Sequence, residues 1–171
     1  AAPSRSTLED YQMFAAQVRS LADRINGRFA RGAYRPIHLR AEHHEPEVVN
    51  RFYRAADVCM VTSLHDGMNL VAKEFVASRD DEQGVLVLSQ FTGAAHELHE
   101  SLIVNPYHIE QTAEALYQAL TMPDFEQRER MRSMRALVRD FNVYRWAGRM
   151  LLDAARIRQR ERLALRIGGA G

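Results

Sequence analysis

The densest group of chemically capable side chains lies in residues 64–74, with the sequence LHDGMNLVAKE. The carboxylate of Asp66 can accept hydrogen bonds from vicinal hydroxyl groups, and Gly67 lets the backbone approach a ligand closely. The segment follows an apolar run and opens a predicted helix, whose first N–H groups and partial positive charge suit a phosphate or sugar oxygen. Glu74 falls one turn inside that helix, where its carboxylate could reach a diol. The residue types together indicate a site for a sugar or phosphate ligand.

An ordinary capped turn accounts for the same segment. In that interpretation Asp66 or Asn69 satisfies the helix start, and Lys73 and Glu74 form a solvated pair. Lys73 is the one lysine among 23 basic residues. Its ammonium would either neutralise a diphosphate or pair with a neighbouring acid. The pattern alone leaves both interpretations open.

Other candidate sites are less convincing. His43 and His44 lie between Glu42 and Glu45, but adjacent residues do not easily converge on one metal ion. Ser89 lacks the Gly-x-Ser-x-Gly context of a hydrolase nucleophile. We therefore predict a polar loop at the histidines, no metal site and no cofactor.

Alternating apolar and periodic segments must position residues 64–74. Nearly continuous apolar runs at 57–62, 84–89 and 102–104 are typical of strands buried on both faces of a parallel sheet. A further short strand is predicted at 36–39. Helical spacing predicts helices at 8–29, from Pro46, and at 70–79, 94–98, 109–121, 124–140 and 143–166. This alternation predicts an α/β fold in one compact unit, with helices on both faces of the sheet. Ligands of such sheets bind at the carboxyl ends of the strands, where residues 64–74 begin.

Composition excludes several classes of protein. The net charge of +1 argues against a general nucleic-acid binder, and 46% apolar residues argue against disorder. No apolar run approaches the length of a membrane span, and the N-terminal residues do not resemble a signal peptide. Cys59 is the one cysteine, which fits a reducing compartment, so we expect a cytoplasmic location. The chain is acidic up to residue 123 and basic beyond it. The basic part is either a solvated helix face or a surface that docks on an acidic partner.

A family resemblance rests on residues 65–79, HDGMNLVAKEFVASR. This string resembles the signature of the retaining trehalose-6-phosphate synthase family of glycosyltransferases. Other strings agree with that family in order and spacing: APSR, RINGRF, YRAADVCMVTSL, GVLVLSQFTGAAHEL, LIVNPY and ALTMP. The resemblance implies that residues 1–150 form part of a Rossmann-like, nucleotide-sugar-binding lobe, the C-terminal lobe of a GT-B glycosyltransferase. Residues 151–171 are then expected to form a C-terminal helix and a flexible tail.

The resemblance implies roles for individual residues at the donor site. The glucose hydroxyls would be held by Asp66 and by the backbone of Gly67, Met68 and Asn69. The diphosphate would lie near the amides of Leu70 and Val71, and Glu74 would bind the ribose diol. The family match supports the position of Lys73 in this site, whereas the role of its side chain stays open.

Two implied contacts lie elsewhere in the sequence. Arg5 resembles the arginine that contacts the phosphate of glucose 6-phosphate. His44 stands where the family places a residue beside the uracil. His65 departs from the arginine of many relatives, which obscures the subfamily and leaves the nucleotide contacts intact.

The resemblance implies transfer of glucose from UDP-glucose, or another nucleotide-glucose, to glucose 6-phosphate with retention of configuration. The family's chemistry needs neither a metal nor a protein nucleophile. The N-terminal lobe that largely forms the acceptor pocket has no counterpart here, so this lobe is an expected partner and the fragment alone is expected to be inactive. Two alternatives are a glucosylglycerol-phosphate synthase, or a related glucosyltransferase, and a non-catalytic binding module with the same lobe. No nucleic-acid or membrane partner is expected, and a homo-oligomer is left open.

Overall fold

The computed structural model describes residues 9–141 and 143–168, which form six helices and three strands. The helices are α1 Glu9–Phe29, α2 Pro46–Ala55, α3 Leu70–Ser78, α4 Ile109–Thr121, α5 Asp124–Asp140 and α6 Val143–Gly168. The strands are β1 Val58–Val61, β2 Val85–Ser89 and β3 Leu102–Val104, and a short 3₁₀ turn covers Gly93–His96. The strands form one parallel sheet in the order β1-β2-β3.

The central strand β2 is buried along its whole length and supplies both layers of the core. Leu86 and Leu88 pack in a cluster that includes Phe75 of α3 and Met131 of α5. The alternate residues of β2 pack in a second cluster with Ala115 and other residues of α4. Because successive side chains of a strand point to opposite faces, helices cover both faces of the sheet. The predicted α/β fold, a parallel sheet between helices, is confirmed.

The described residues fall into two compact units divided between Val49 and Asn50, where the sequence predicted one. The first unit contains α1, in which Ala22 is buried. The strand predicted at 36–39 is wrong, because no strand among the described residues pairs with it. The backbone N–H and C=O of Ile37 instead bond to the side-chain amide of Asn26, each at 2.9 Å.

A buried arginine joins α2 to the end of α3 in the second unit. The Arg79 side chain is 5% exposed, and its Nε and Nη2 atoms each donate to the Asp81 carboxylate at 3.0 Å. Its Nη1 donates to the carbonyls of Tyr53, Arg54 and Ala56. The guanidinium therefore fixes the C-terminal end of α2, including the backbone of Tyr53.

The last helix, α6, runs continuously through position 150, where the sequence predicts a boundary between the nucleotide-sugar-binding lobe and the C-terminal helix and tail. That boundary stays a prediction. None of the helices in the described part of the chain combines the length and apolar character that a membrane span requires.

Candidate functional site

The loop after β1 is braced by its own polar side chains. The Asp66 Oδ1 atom accepts from the backbone N–H groups of Met68 at 3.1 Å and Asn69 at 2.9 Å. Its Oδ2 atom accepts from the Asn69 side-chain amide at 3.0 Å. Asn69 has a left-handed backbone, with φ of 62°, and its Oδ1 caps α3 by accepting from Ala72 N–H at 2.9 Å. The capped-turn geometry is thus present, and an ionised carboxylate keeps about one further lone-pair site beyond these three bonds.

The start of α3 presents apolar side chains to solvent. Leu70 is 57% exposed and Val71 is 45% exposed, whereas Ala72 and Phe75 on the inner face are buried. The N–H groups of the first helical residues have no intrahelical acceptor, and Asn69 caps the one at Ala72. The backbone at Leu70 and Val71 therefore offers donors and partial positive charge on an accessible surface.

Lys73 and Glu74 do not pair with each other. The Lys73 ammonium donates to Glu97 Oε2 at 2.7 Å, and its side chain is 22% exposed. Glu97 follows the 3₁₀ turn after β2. This ion pair therefore ties the first turn of α3 to the segment that follows the neighbouring strand.

Glu74 is exposed and accepts a hydrogen bond at 3.2 Å from the hydroxyl of Tyr53. Burial raises the pKa of Tyr53 well above its usual range, and the negative charge of Glu74 raises it further. The tyrosine therefore stays protonated as a donor, and its ring packs edge-on against Phe75 with centroids 6.2 Å apart. One carboxylate oxygen of Glu74 is held in this way, while the other is available for a second partner.

The remaining predicted residues lie apart from this loop in the chain. Arg5 is outside the described residues. His44 belongs to the first unit, where its largely buried ring places Nε2 3.8 Å from Glu42 Oε1. Across the described residues, no three or more His, Cys, Asp or Glu side chains are arranged to hold a metal ion.

Three residues that contact the candidate site were missed by the sequence analysis: Tyr53, Glu97 and Gly93. Glu97 and Gly93 follow β2, so the rule that carboxyl ends of parallel strands share one edge could have found them. Gly93 lies against the loop after β1, where its N–H donates to the Asp66 carbonyl at 3.0 Å. Tyr53 gave no signal, because a tyrosine on an amphipathic helix is ordinarily a packing residue.

Residues 1–156 match the profile of glycosyltransferase family 20. The chain is 42% identical over 158 residues to a trehalose-6-phosphate synthase of Klebsiella pneumoniae, covering 92% of this chain and 33% of that protein. Among solved structures, it resembles a UDP-forming synthase of Burkholderia xenovorans in complex with glucose-6-phosphate, with 45% identity and a TM-score of 0.86. That match covers 90% of this chain and 34% of the other.

A further structure, from E. coli and bound with UDP-2-fluoro glucose, matches with 40% identity and a TM-score of 0.85. It covers 88% of this chain and 34% of that one. The names of these relatives fit the predicted trehalose-6-phosphate synthase activity and do not favour the alternative, a glucosylglycerol-phosphate synthase. The chain spans about a third of the length of these relatives. The profile match over most of the chain and the similarity to these synthases establish that the chain belongs to glycosyltransferase family 20.

Proposed function

We propose that this chain is the nucleotide-sugar-binding part of a trehalose-6-phosphate synthase, which transfers glucose from UDP-glucose to glucose 6-phosphate with retention. The observation that carries the proposal is the accessible start of α3 at the carboxyl end of β1, with Glu74 one turn inside. Solved relatives bind glucose-6-phosphate and a UDP-sugar analogue, which supports both substrates.

The donor is proposed to lie across the start of α3. Its diphosphate would accept hydrogen bonds from the amides of Leu70 and Val71, where the helix dipole favours negative charge. The Glu74 carboxylate would accept from the ribose diol, while the Tyr53 hydroxyl holds its Oε2 atom. The free lone pair of Asp66 and the backbone of residues 67–69 would contact the glucose hydroxyls.

The proposed chemical contribution of this part is electrostatic. Negative charge grows on the diphosphate as the bond to glucose breaks, and preorganised N–H groups at the helix start stabilise that charge. Lys73 is proposed to act on the same segment through its ion pair with Glu97. No nucleophilic side chain is required of this chain. The acceptor hydroxyl attacks from the same face as the bond to the diphosphate breaks, and the leaving diphosphate takes the proton of that hydroxyl.

The acceptor side of the reaction is proposed to need the longer protein. Arg5 would contact the phosphate of glucose 6-phosphate, His44 would lie near the uracil, and an N-terminal lobe would complete the acceptor pocket. The isolated chain is therefore expected to bind donor without turnover. The single cysteine and the proposed charged substrates support a cytoplasmic location. Self-association stays a prediction.

Calorimetric titration of the chain with UDP tests the proposal. We expect Glu74→Gln to weaken UDP binding about tenfold or more, since it removes charge-assisted hydrogen bonds to the ribose. Glu114→Gln, an exposed change on α4, is the matched control and should bind as the unaltered chain does. Absence of UDP binding at millimolar concentration, or equal weakening by both variants, would contradict the proposal.

A further inference from the structure

The turn after β2 holds the loop after β1 through the backbone. Asp66 N–H donates to the Phe91 carbonyl at 3.2 Å, and Gly93 N–H donates to the Asp66 carbonyl at 3.0 Å. The turn is itself fixed, because the buried Thr92 donates its hydroxyl to the Ser89 carbonyl at 2.9 Å. The two segments therefore lie in a defined register at the edge of the sheet.

Gly93 makes the approach of these segments close enough to exclude any side chain. A Cβ atom on Gly93 would overlap the carbonyl oxygen of Gly67 and would lie 3.3 Å from the Met68 Cα atom. These neighbours are backbone atoms, so they cannot yield by a change of rotamer. The backbone of Gly93 is not in the left-handed region, so close contact and not conformation requires glycine here.

The atoms that a Cβ would displace belong to the braced loop. The Gly67 carbonyl lies between Asp66 and the two N–H groups, of Met68 and Asn69, that the Asp66 carboxylate holds. Asn69 continues this loop into α3 by capping Ala72. A shift at Gly67 therefore moves the carboxylate and the backbone of residues 67–69 together.

The first turn of α3 is held separately. Lys73 is tied to Glu97, and Glu74 is held by Tyr53. These contacts do not depend on the position of the Gly67 carbonyl. A displacement by a Cβ therefore falls first on residues 66–69 and on the Asn69 cap of Ala72, whereas the bond from Tyr53 keeps Glu74 in place.

We propose that Gly93 is a positioning residue that sets the sugar-contacting loop of the donor site and leaves the ribose contact of Glu74 unchanged. The inference rests on the proposed function, because it assigns the glucose hydroxyls to residues 66–69 and the ribose to Glu74. It predicts that Gly93 controls the preference for UDP-glucose over UDP.

The test compares Gly93→Ala with Gly148→Ala, because a Cβ at Gly148 meets nothing within 4 Å. Amide hydrogen exchange is measured first. In Gly93→Ala we expect Met68 and Asn69 to exchange about tenfold faster, with the amides of β2 unchanged. Titration follows, and UDP-glucose affinity should fall about tenfold more than UDP affinity, so that the ratio of the two affinities falls about tenfold. Gly148→Ala should match the unaltered chain in both measurements.

Unchanged exchange at Met68 and Asn69, or equal loss of UDP and UDP-glucose affinity, overturns the inference. If Gly93→Ala does not fold, Thr92→Val loosens the turn at constant volume and should shift the same amides and the same ratio by about threefold. No change in that variant also overturns the inference. Failure of the unaltered chain to bind either ligand contradicts the proposed function instead, and the exchange measurement separates the two failures.

Discussion

The substitution Arg79→Ala tests whether a single buried guanidinium holds the C-terminal end of α2 in the second unit. The Arg79 side chain is 5% exposed and donates to three backbone carbonyls and to Asp81. Alanine would leave those carbonyls without this donor and would open a space beside Phe75, whose ring centroid lies 5.8 Å from the guanidinium carbon. The loss combines unmet hydrogen bonds with a cavity.

The size of the effect follows from the donors available. Nη1 carries two protons for three carbonyls, so two full hydrogen bonds are counted there, each contributing about 1.5–3 kcal/mol when the donor is charged. Asp81 is 45% exposed, so water replaces much of what it loses. We therefore expect Arg79→Ala to lower the free energy of unfolding by about 4 kcal/mol. Arg79→Lys keeps a charge but lacks the planar fork, and should lose about half as much.

Urea titration followed by circular dichroism measures this change. With a slope of about 2 kcal/mol/M, the Arg79→Ala midpoint should fall by about 2 M. Arg132→Ala is the control, because that guanidinium pairs with Glu82 at 2.7 Å but is 64% exposed, and its midpoint should fall by less than about 0.5 M. A fall of less than about 0.5 M for Arg79→Ala, or equal falls for both variants, would refute the reasoning.

Three further predictions concern single side chains. Burial raises the pKa of the Cys59 thiol to about 11. Iodoacetamide should therefore alkylate the folded chain roughly a hundredfold more slowly than the urea-unfolded chain at about pH 8. Comparable alkylation rates for the two would contradict this prediction. The hydrogen bond from Arg132 lowers the pKa of Glu82 below its ordinary value of 4.5. The ionised Glu82 therefore stabilises the folded chain fully above pH 4.5, and this stabilisation is lost as the pH falls through the lower pKa that Glu82 has in the folded chain. Glu82→Gln should therefore flatten the fall in urea midpoint below about pH 4, and an unchanged slope would be inconsistent with that. Asn69→Ala removes a cap at a left-handed position and should cost about 1–2 kcal/mol in thermal unfolding, with a smaller loss for Asn69→Gly; the reverse order would disprove the capping role.

The helices and strands with a regular spacing of apolar residues were predictable from the sequence. The run at 102–104 became β3 at those residues, and helical spacing located α4 and α5 at their observed bounds. The segment at 36–39 has a similar apolar pattern, but no strand in the described part of the chain pairs with it. Two hydrogen bonds between the Ile37 backbone and the Asn26 side chain take the place of a ladder. Local periodicity predicts which residues face a core, whereas strand pairing depends on whether a distant segment of the chain lies alongside as a second strand.

The candidate site was predictable where it is local in sequence. Asp66 and Asn69 act within a few residues of their partners, so the capped loop followed from the string itself. The partners of Lys73 and Glu74 come from 24 and 21 residues away, and only the assembled sheet brings Glu97 and Tyr53 to them. Long-range side-chain pairing leaves no mark on sequence spacing.

The lone lysine gives the candidate site a built-in proteolytic reporter. A protease that cleaves only after lysine has one target in this chain, the bond between Lys73 and Glu74, which would yield residues 1–73 and 74–171. That bond lies within α3, one turn from the braced loop. Several residues around it must unfold before a protease can cleave it. Where opening and reclosing are faster than cleavage, the cleavage rate therefore reports the fraction of molecules in which this turn of α3 is open, without any label and without cleavage at other sites.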